Sequence, residues 1–315
     1  MPMTLPHFAD AQAFRAWRSN PPQWLPIALD IARGHGLDVS APHVFATGTN
    51  LVVGLSGKLI LKIFPPLLRA QFVSERGSLM QLENRLYLPI PKIVAEGMRD
   101  GWPYLIMTRL AGTLGSEVWP SLPEVQKERV LRQIGETIAA VQRVPLGPLA
   151  HIEPRWDAFM RAQMQGCRAR HERLGLAPKF LAGLDDLLRD AATLIPMDAP
   201  PVILIGEYIP ENFLLACHDG DWSLAGLFDF GDVRAGWRDY DLLGPSAFMS
   251  AGRPGRVRGL LEGFGYEKPD HALKRRLMAL MLLHQASDLN SHICIEGWQD
   301  KVDDLVDLQE LIWAE

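Results

Sequence analysis

The pattern of apolar and polar positions divides the chain into a strand-rich first third and a largely helical remainder. Apolar residues recur at helical spacing in three early segments, and between them short apolar runs are separated by turn residues, which is typical of antiparallel strands. We predict helices over 9–19, 21–34 and 69–83, and strands over 44–46, 51–53, 59–64, 92–95 and 103–108.

The second part of the chain has long amphipathic segments interrupted by one group of short apolar runs. We predict helices over 123–143, 154–173 and 177–193, and a further set of helices over 238–315. Between them, apolar runs at 202–205 and 213–215 flank a polar loop, and a third run ends at Asp229. We expect the first two runs to form a β-hairpin that carries the loop at its tip.

Composition narrows the class of protein. The 315 residues suffice for two lobes, and 48% apolar with 22% charged residues fit a soluble globular protein. A net charge of −5 argues against nucleic-acid binding and is compatible with a cationic substrate. Three scattered cysteines favour the reducing cytoplasm. Met1–Asp10 shows no signal-peptide pattern, and no apolar run is long enough to span a membrane.

The polar loop and the run after it carry the candidate chemistry. Glu207 is followed five residues later by Asn212, and Asp229 opens an Asp-Phe-Gly sequence. In kinases a loop carboxylate accepts the proton of the attacking hydroxyl, while an Asn five residues on and the Asp of Asp-Phe-Gly bind Mg²⁺. Amide and carboxylate oxygens suit Mg²⁺ and leave room for phosphate oxygens. The spacing therefore predicts phosphoryl transfer.

These two segments resemble the catalytic and metal segments of the aminoglycoside phosphotransferase and choline kinase-like family, whose pattern is His-Gly-Asp-x-x-x-x-Asn followed by Ile-Asp-Phe/Trp. Within it the chain is most similar to hygromycin-type phosphotransferases. The resemblance implies an α+β, two-lobed protein-kinase-like fold with a small antiparallel β-rich N-lobe (1–111) and a larger, mainly helical C-lobe (112–315). It also implies ATP or GTP as co-substrate with Mg²⁺. We expect a monomer or a weak dimer.

A lysine inside an apolar strand supports this interpretation. Lys62 lies in the run 59–64, where burial is costly unless the charge is paired. In kinases a strand lysine contacts the nucleotide phosphates and pairs with a helix glutamate. The helix predicted over 69–83 offers Glu75 for this role. The alternative is an edge-strand lysine that faces water.

The resemblance assigns further positions on both sides of the nucleotide. It places purine contacts at Thr108 and Leu110, in the passage between the lobes, and it gives Asp241 the role of bracing the catalytic loop by hydrogen bonds. Gly48 could let a turn approach the phosphates, although an ordinary hairpin turn is equally compatible with it. Asp232 follows the metal segment and could contact metal-bound water or substrate.

One departure from the family pattern affects the catalytic position. Ile205 stands where the family has His, and Glu207 stands where it has Asp. The extra methylene of Glu207 shifts the carboxylate, and displacing a positioned group by about 1 Å can cost on the order of a hundredfold in rate. Two hypotheses follow: a kinase acting on an aminoglycoside-type antibiotic such as hygromycin B, or a pseudokinase or nucleotide-binding module of the same fold.

The C-terminal part carries two further candidates. His284, Asp288 and His292 are four residues apart, which predicts one helix face and would suit either a substrate wall or a metal-dependent hydrolase using Asp229. Seven acids lie between Glu296 and Glu315. Such runs are usually solvated faces, but the resemblance implies an acidic wall that collects a cationic, hydroxylated substrate. Asp232, Asp288 and Glu296 are the candidate substrate residues.

Overall fold

The computed structural model describes residues 4–315. The first three residues, which belong to the predicted N-lobe and to the segment Met1–Asp10, lie outside the described part. Five antiparallel strands form the first sheet: β1 His43–Phe45, β2 Leu51–Leu55, β3 Leu59–Ile63, β4 Ile93–Arg99 and β5 Trp102–Thr108. Their order across the sheet is β1-β2-β3-β5-β4, which joins all five predicted strands into one layer.

Helices cover this sheet because its strands are apolar on both faces in the middle. The strands β2, β3 and β5 are almost fully buried along their length. The helices α1 (Ala11–Arg18) and α2 (Leu25–Gly34) pack on the sheet through an apolar cluster that includes Phe14, Trp24 and Trp102. The helix α3 (Arg69–Leu82) packs against β5 and contributes to the larger core of the chain.

The remainder is mainly helical, as predicted. Its helices are α4 Gly115–Val118, α5 Glu124–Gln142, α6 Trp156–Arg173, α7 Pro178–Ala182, α8 Leu184–Leu194, α9 Leu243–Pro245, α10 Pro254–Phe264, α11 His271–Leu283, α12 Leu289–His292, α13 Trp298–Lys301 and α14 Leu305–Ile312. The predicted helix over 177–193 is two helices, α7 and α8, that meet at Gly183. The closest packing joins α5 to α10, where a side chain on Gly135 would overlap the backbone of α10.

The expected hairpin around the polar loop is wrong. The strand β7 (Val202–Leu204) pairs with β10 (Arg234–Gly236), whereas β8 (Phe213–His218) pairs with β9 (Asp221–Leu227) and with β6 (Thr113–Leu114). The loop 205–212 therefore connects two different sheets. Apolar runs indicate that strands exist, but packing decides which strands pair. The hairpin in the structure joins β8 to β9 and turns at Asp219–Gly220.

Within residues 4–315 we find no helix that combines the length and apolarity needed to cross a bilayer. The predicted division into lobes at residues 111 and 112 stays a prediction. The chain does leave the first sheet after Thr108 and joins the second group of strands at Thr113.

Candidate functional site

A buried lysine joins the first sheet to the metal segment. The ammonium nitrogen of Lys62 lies 2.5 Å from Oε2 of Glu75 in α3 and 3.0 Å from Oδ1 of Asp229. Lys62 is on β3, opposite Leu105 of β5, and its side chain is 8% exposed. The pairing that the sequence required for a buried lysine is therefore present, with two partners instead of one.

The charges of these three groups depend on one another. Burial alone would lower the pKa of Lys62, but the carboxylates of Asp229 and Glu75 hold it above its ordinary value. Burial raises the pKa of Glu75 to about 7, against the opposing effect of Lys62. For Asp229, burial is outweighed by the charge of Lys62, so its pKa lies below the ordinary value. Lys62 and Asp229 are thus an ion pair at neutral pH.

The loop that carries Glu207 is held at its backbone. The carboxylate of Asp241 accepts hydrogen bonds from the backbone N–H groups of Ile205, at 3.1 Å, and Gly206, at 2.8 Å. Gly206 has φ +84°, a conformation that glycine adopts without a steric penalty. Asp241 is buried, and burial raises its pKa to about 7 despite these two hydrogen bonds. The arrangement agrees with a bracing role for Asp241.

Asn212 and Asp229 lie on adjacent chain segments. Phe213 pairs with Leu227 in the β8–β9 register, and the N–H of Phe228 donates to the carbonyl of Asn212 at 3.1 Å. The side-chain amide of Asn212 donates to the carbonyl of Glu207 at 3.1 Å. Asp229 has φ +67°, a strained conformation for a residue other than glycine. Such strain is common where a side chain is held in a functional orientation.

These donors fit a magnesium ion bound together with phosphate. The amide nitrogen of Asn212 is directed to a protein carbonyl, which leaves its oxygen as the ligand atom. The side chain of Asp229 is 39% exposed, so its carboxylate is open to a ligand. One amide oxygen and one carboxylate match the small protein contribution that Mg²⁺ takes when nucleotide phosphates supply the other ligands.

Gln71 connects the metal segment to the first sheet, a role that the sequence did not indicate. Its Oε1 accepts hydrogen bonds from Asn50, at 3.0 Å, and Thr49, at 3.3 Å, and its Cβ lies 3.3 Å from the position that a Cβ on Gly231 would occupy. The turn that includes Gly48 is therefore tied to the segment after Asp229. The four-residue spacing of Gln71 and Glu75, which places both on one face of α3, was the available signal.

The two predicted purine-contact positions, Thr108 and Leu110, differ in their surroundings. The N–H of Thr108 already donates to the carbonyl of Lys92 at 2.9 Å, so a purine contact there would need its carbonyl. Leu110 is half-buried and packs toward Gly226. Gly48 is exposed in the turn before β2, with φ +88° and open space around its α-carbon. These three roles stay predictions.

The expected helix face of His284, Asp288 and His292 is wrong. The helix α11 ends at Leu283, a turn follows, and Asp288 caps the separate short helix α12. The backbone leaves the helical conformation at His284 (φ −59°, ψ +138°), and Asp288 begins a new helix by accepting a hydrogen bond from the N–H of Ser291. The ring of His284 stacks on Tyr240 at 4.8 Å and lines the same pocket as Gly206 of the catalytic loop.

A pocket of about 210 Å³ opens beside Glu207. Asp288 and both histidines line it, whereas Glu296 is exposed and is not one of the lining residues. Burial, with the charges of Asp232 and Asp229, raises the pKa of Glu207 to about 7. A carboxyl group with a pKa near neutrality, at the edge of a pocket, is suited to exchange a proton with a bound hydroxyl.

Comparisons with known proteins agree with this geometry. The model of the phosphotransferase enzyme family matches residues 32–277. Among solved structures, the GDP complex of wild-type aminoglycoside 2′-phosphotransferase-IIIa has a TM-score of 0.69 at 18% identity, covering 91% of this chain and 96% of that one.

A macrolide 2′-phosphotransferase from Brachybacterium faecium has a TM-score of 0.56 at 18% identity, covering 81% of this chain and 89% of that one. An aminoglycoside phosphotransferase, APH(3″)-Id from Streptomyces rimosus, has a TM-score of 0.58 at 16% identity, covering 82% of this chain and 98% of that one. These likenesses confirm the predicted two-lobed kinase-like fold. The family match covers most of the chain, and the chain belongs to the phosphotransferase enzyme family.

Proposed function

We propose that this protein transfers the γ-phosphate of ATP or GTP to a hydroxyl group of a small molecule. The observation that carries the proposal is that Lys62 and Glu75 meet Asp229, which is 167 residues from Lys62 in the chain, at one point between the first sheet and the metal segment. The loop with Glu207 is attached to the same segment through Asn212. Nucleotide and acceptor would thus bind on either side of these groups.

On the nucleotide side, Lys62 contacts the α- and β-phosphates, and Glu75 keeps its ammonium group in place. Asn212 and Asp229 would hold Mg²⁺, which would neutralise charge on the phosphates. Thr108 and Leu110 are proposed to contact the purine, and the turn at Gly48 to lie over the phosphates. The hydrogen bond from Asn50 to Gln71, which lies beside Gly231, keeps that turn close to the metal segment.

On the acceptor side, Glu207 orients the hydroxyl and accepts its proton. Because the transition state of phosphoryl transfer is loose, little base strength is needed, and positioning matters most. Hydrogen bonds with Asp241 and Asn212 fix the backbone around Glu207, so the position from which its side chain, longer than that of Asp, extends is defined. Asp232, Asp288 and Glu296 remain the proposed substrate residues, and Asp288 has the most direct support because it lines the pocket.

The acceptor class is proposed from likeness. One solved neighbour is a complex of APH(2″)-IIIa with GDP and kanamycin, at 19% identity and a TM-score of 0.68. Together with the hygromycin-type motif, this supports an aminoglycoside antibiotic as the acceptor, hygromycin B among them, and a role in resistance. The cytoplasmic location, the monomeric or weakly dimeric state and the lack of nucleic-acid or membrane partners remain predictions.

The experiment is a substrate screen on the purified protein. With Mg²⁺ and either ATP or GTP, a panel of hydroxylated antibiotics is tested for acceptor-dependent nucleotide consumption, and products are identified by a mass gain of one phosphoryl group. Asp229→Asn serves as the matched control, since it keeps the shape of the side chain and removes its charge. Consumption that survives this change would place the chemistry elsewhere.

The pseudokinase alternative is favoured by one observation, the glutamate at the catalytic position. It predicts that nucleotide raises the melting temperature without any turnover. The hydrolase alternative loses its support, because residues 4–315 contain no group of three His, Cys, Asp or Glu side chains placed to hold a metal ion. The histidines line the pocket beside Glu207, while Asp229 pairs with Lys62.

A further inference from the structure

The pocket beside Glu207 has walls that identify the kind of acceptor it takes. Four segments form it: the catalytic loop, the turn and helix after Leu242, the end of α11, and the stretch from His284 to Ile293. Since Glu207 is at its edge, this is the acceptor side of the site, and the inference therefore rests on the proposed function. Its volume of about 210 Å³ is below the roughly 300–1,000 Å³ of pockets that enclose drug-sized ligands.

Most of the wall is apolar. The apolar lining residues are Ile209, Leu243, Ala247, Phe248, Met281, Ala286, Leu289 and Ile293. The lining carboxylates are Glu207 and Asp288. Asp288 already accepts hydrogen bonds from the backbone and hydroxyl of Ser291, at 3.3 and 2.7 Å, as the cap of α12. Asp288 keeps its single charge, which can pair with one cationic group of a ligand.

Two polar groups on the wall, His284 and Ser287, carry no charge at pH 7. His284 accepts a hydrogen bond at Nδ1 from the N–H of Ala286, 3.2 Å away, and burial lowers its pKa to about 4, so the ring is neutral at pH 7. His292 packs against the ring of Phe248 at 5.1 Å. The hydroxyl of Ser287 is buried and has no hydrogen-bond partner within residues 4–315. These groups can hydrogen-bond an uncharged ligand.

Three of the seven acids expected to form a wall for a polycation have roles in the fold. Glu310 and Glu315 lie 2.6 and 3.6 Å from the ammonium group of the buried Lys274. Asp304 caps α14 through the N–H groups of Val306 and Asp307. Inside the pocket, a ligand with several ammonium groups would place all but one of them against apolar walls, and a desolvated charge without a partner is strongly unfavourable.

We propose that the natural acceptor is an alcohol with a compact, largely apolar body, about one ring in size, and with at most one positive charge. Such a molecule replaces water along the apolar walls and presents its hydroxyl to Glu207. An aminoglycoside could place one ring in this pocket but would leave its other ammonium groups without carboxylate partners on these walls. The inference thus keeps the proposed kinase reaction and replaces the aminoglycoside with this class of alcohol as the acceptor.

The test compares matched acceptors on the full-length protein with Mg²⁺ and ATP or GTP. The uncharged probes are phenyl β-D-glucoside, cyclohexyl β-D-glucoside and the terpene alcohol menthol; the polycationic probes are kanamycin and hygromycin B. We expect the best uncharged probe to have a kcat/KM at least tenfold above that of the better aminoglycoside. A higher kcat/KM for kanamycin or hygromycin B would overturn this inference and leave the proposed kinase activity standing.

A charge variant at the pocket gives a second, independent measurement. Ala286 is exposed at the wall, so Ala286→Glu adds a carboxylate without burying it, and Ala286→Gln is the control of equal size. Relative to the glutamine variant, the glutamate variant should increase the ratio of kcat/KM for kanamycin to kcat/KM for the best uncharged probe at least fivefold. Equal kanamycin values in the two variants contradict the charge argument. If no probe is phosphorylated although ATP raises the melting temperature, the proposed function fails, and this inference with it.

Discussion

Replacing Lys62 with methionine removes the cation that pairs with two carboxylates in the interior. The substitution preserves side-chain length and apolar volume, so its effect comes mainly from the lost charge. The side chains of Lys62 and Glu75 are 8% and 2% exposed, which leaves Glu75 without water as an alternative partner. We expect the variant to fold with reduced stability and to lose nucleotide affinity.

The magnitude follows from the state of Glu75 after the change. Glu75 is left buried without a cation, so it will be protonated in the folded protein, whereas its ordinary pKa in the unfolded chain is 4.5. The pKa of Glu75 is already about 7 in the wild type, so at pH 6 to 7 this proton costs both proteins a similar ~2–3 kcal/mol, and only at higher pH does the variant lose more through it, by ~1 kcal/mol at pH 8. The lost attraction between Lys62 and its two carboxylates adds to this at every pH, and breaking a buried ion pair costs roughly 3–5 kcal/mol in all.

The assay is urea unfolding of the wild type, Lys62→Met, Glu75→Gln and the double variant at pH 6, 7 and 8. The loss in Lys62→Met should grow with pH, because the unfolded state releases the proton that the folded state must keep. The double variant should recover most of the stability, since no buried carboxyl remains at position 75. It should not recover nucleotide binding, because the phosphate contact is still missing.

The control is internal to the series. Glu75→Gln leaves Lys62 paired with Asp229 at 3.0 Å and should therefore be less destabilised than Lys62→Met. If Lys62→Met unfolds at the same urea concentration as the wild type at pH 8, or if the double variant is no more stable than the single one, the buried ion pair does not determine the stability of this region.

Four further outcomes are expected. Glu207→Gln should lower kcat by about 10²–10⁴-fold. Glu207→Asp should lower it by about a hundredfold, because the carboxylate retracts by about 1.5 Å while the backbone stays fixed. Unchanged steady-state rates in both variants would refute the catalytic role of Glu207. Asp241→Asn should cost about 1–3 kcal/mol in urea unfolding and slow catalysis, since one loop N–H loses its acceptor. Gly135→Ala should destabilise by about 1–3 kcal/mol because its side chain would overlap α10, and an unchanged melting temperature would contradict that packing. His284 has a pKa of about 4 in the fold and an ordinary value of 6.5, so on acidification the unfolded state takes up the proton first. The free energy of unfolding should therefore fall by about 2 kcal/mol from pH 7 to pH 5, and His284→Gln should lack this pH-dependent loss.

The short-range chemistry of the site could be predicted from the sequence. The spacing of Glu207 and Asn212, the Asp at 229 and the isolated charge of Lys62 in an apolar strand are local features, and each imposes a local requirement. A lysine in a buried strand must be paired wherever the strand lies, which is why Glu75 could be named beforehand. Most helix positions followed in the same way from periodicity, and the structure confirms them.

Tertiary packing decided which strands pair and which side chains meet. The sequence could not show that β7 pairs with β10 across 30 residues, or that Asp229 would contact Lys62, 167 residues away, since periodicity carries no information about which surfaces meet. It also could not show that α11 stops at Leu283, which moves His284 from a helix face into the pocket. The acids near the C-terminus give the clearest case. The family resemblance implied a substrate wall, whereas Lys274 and the cap of α14 engage three of these acids, because a buried cation and an open helix end need such partners.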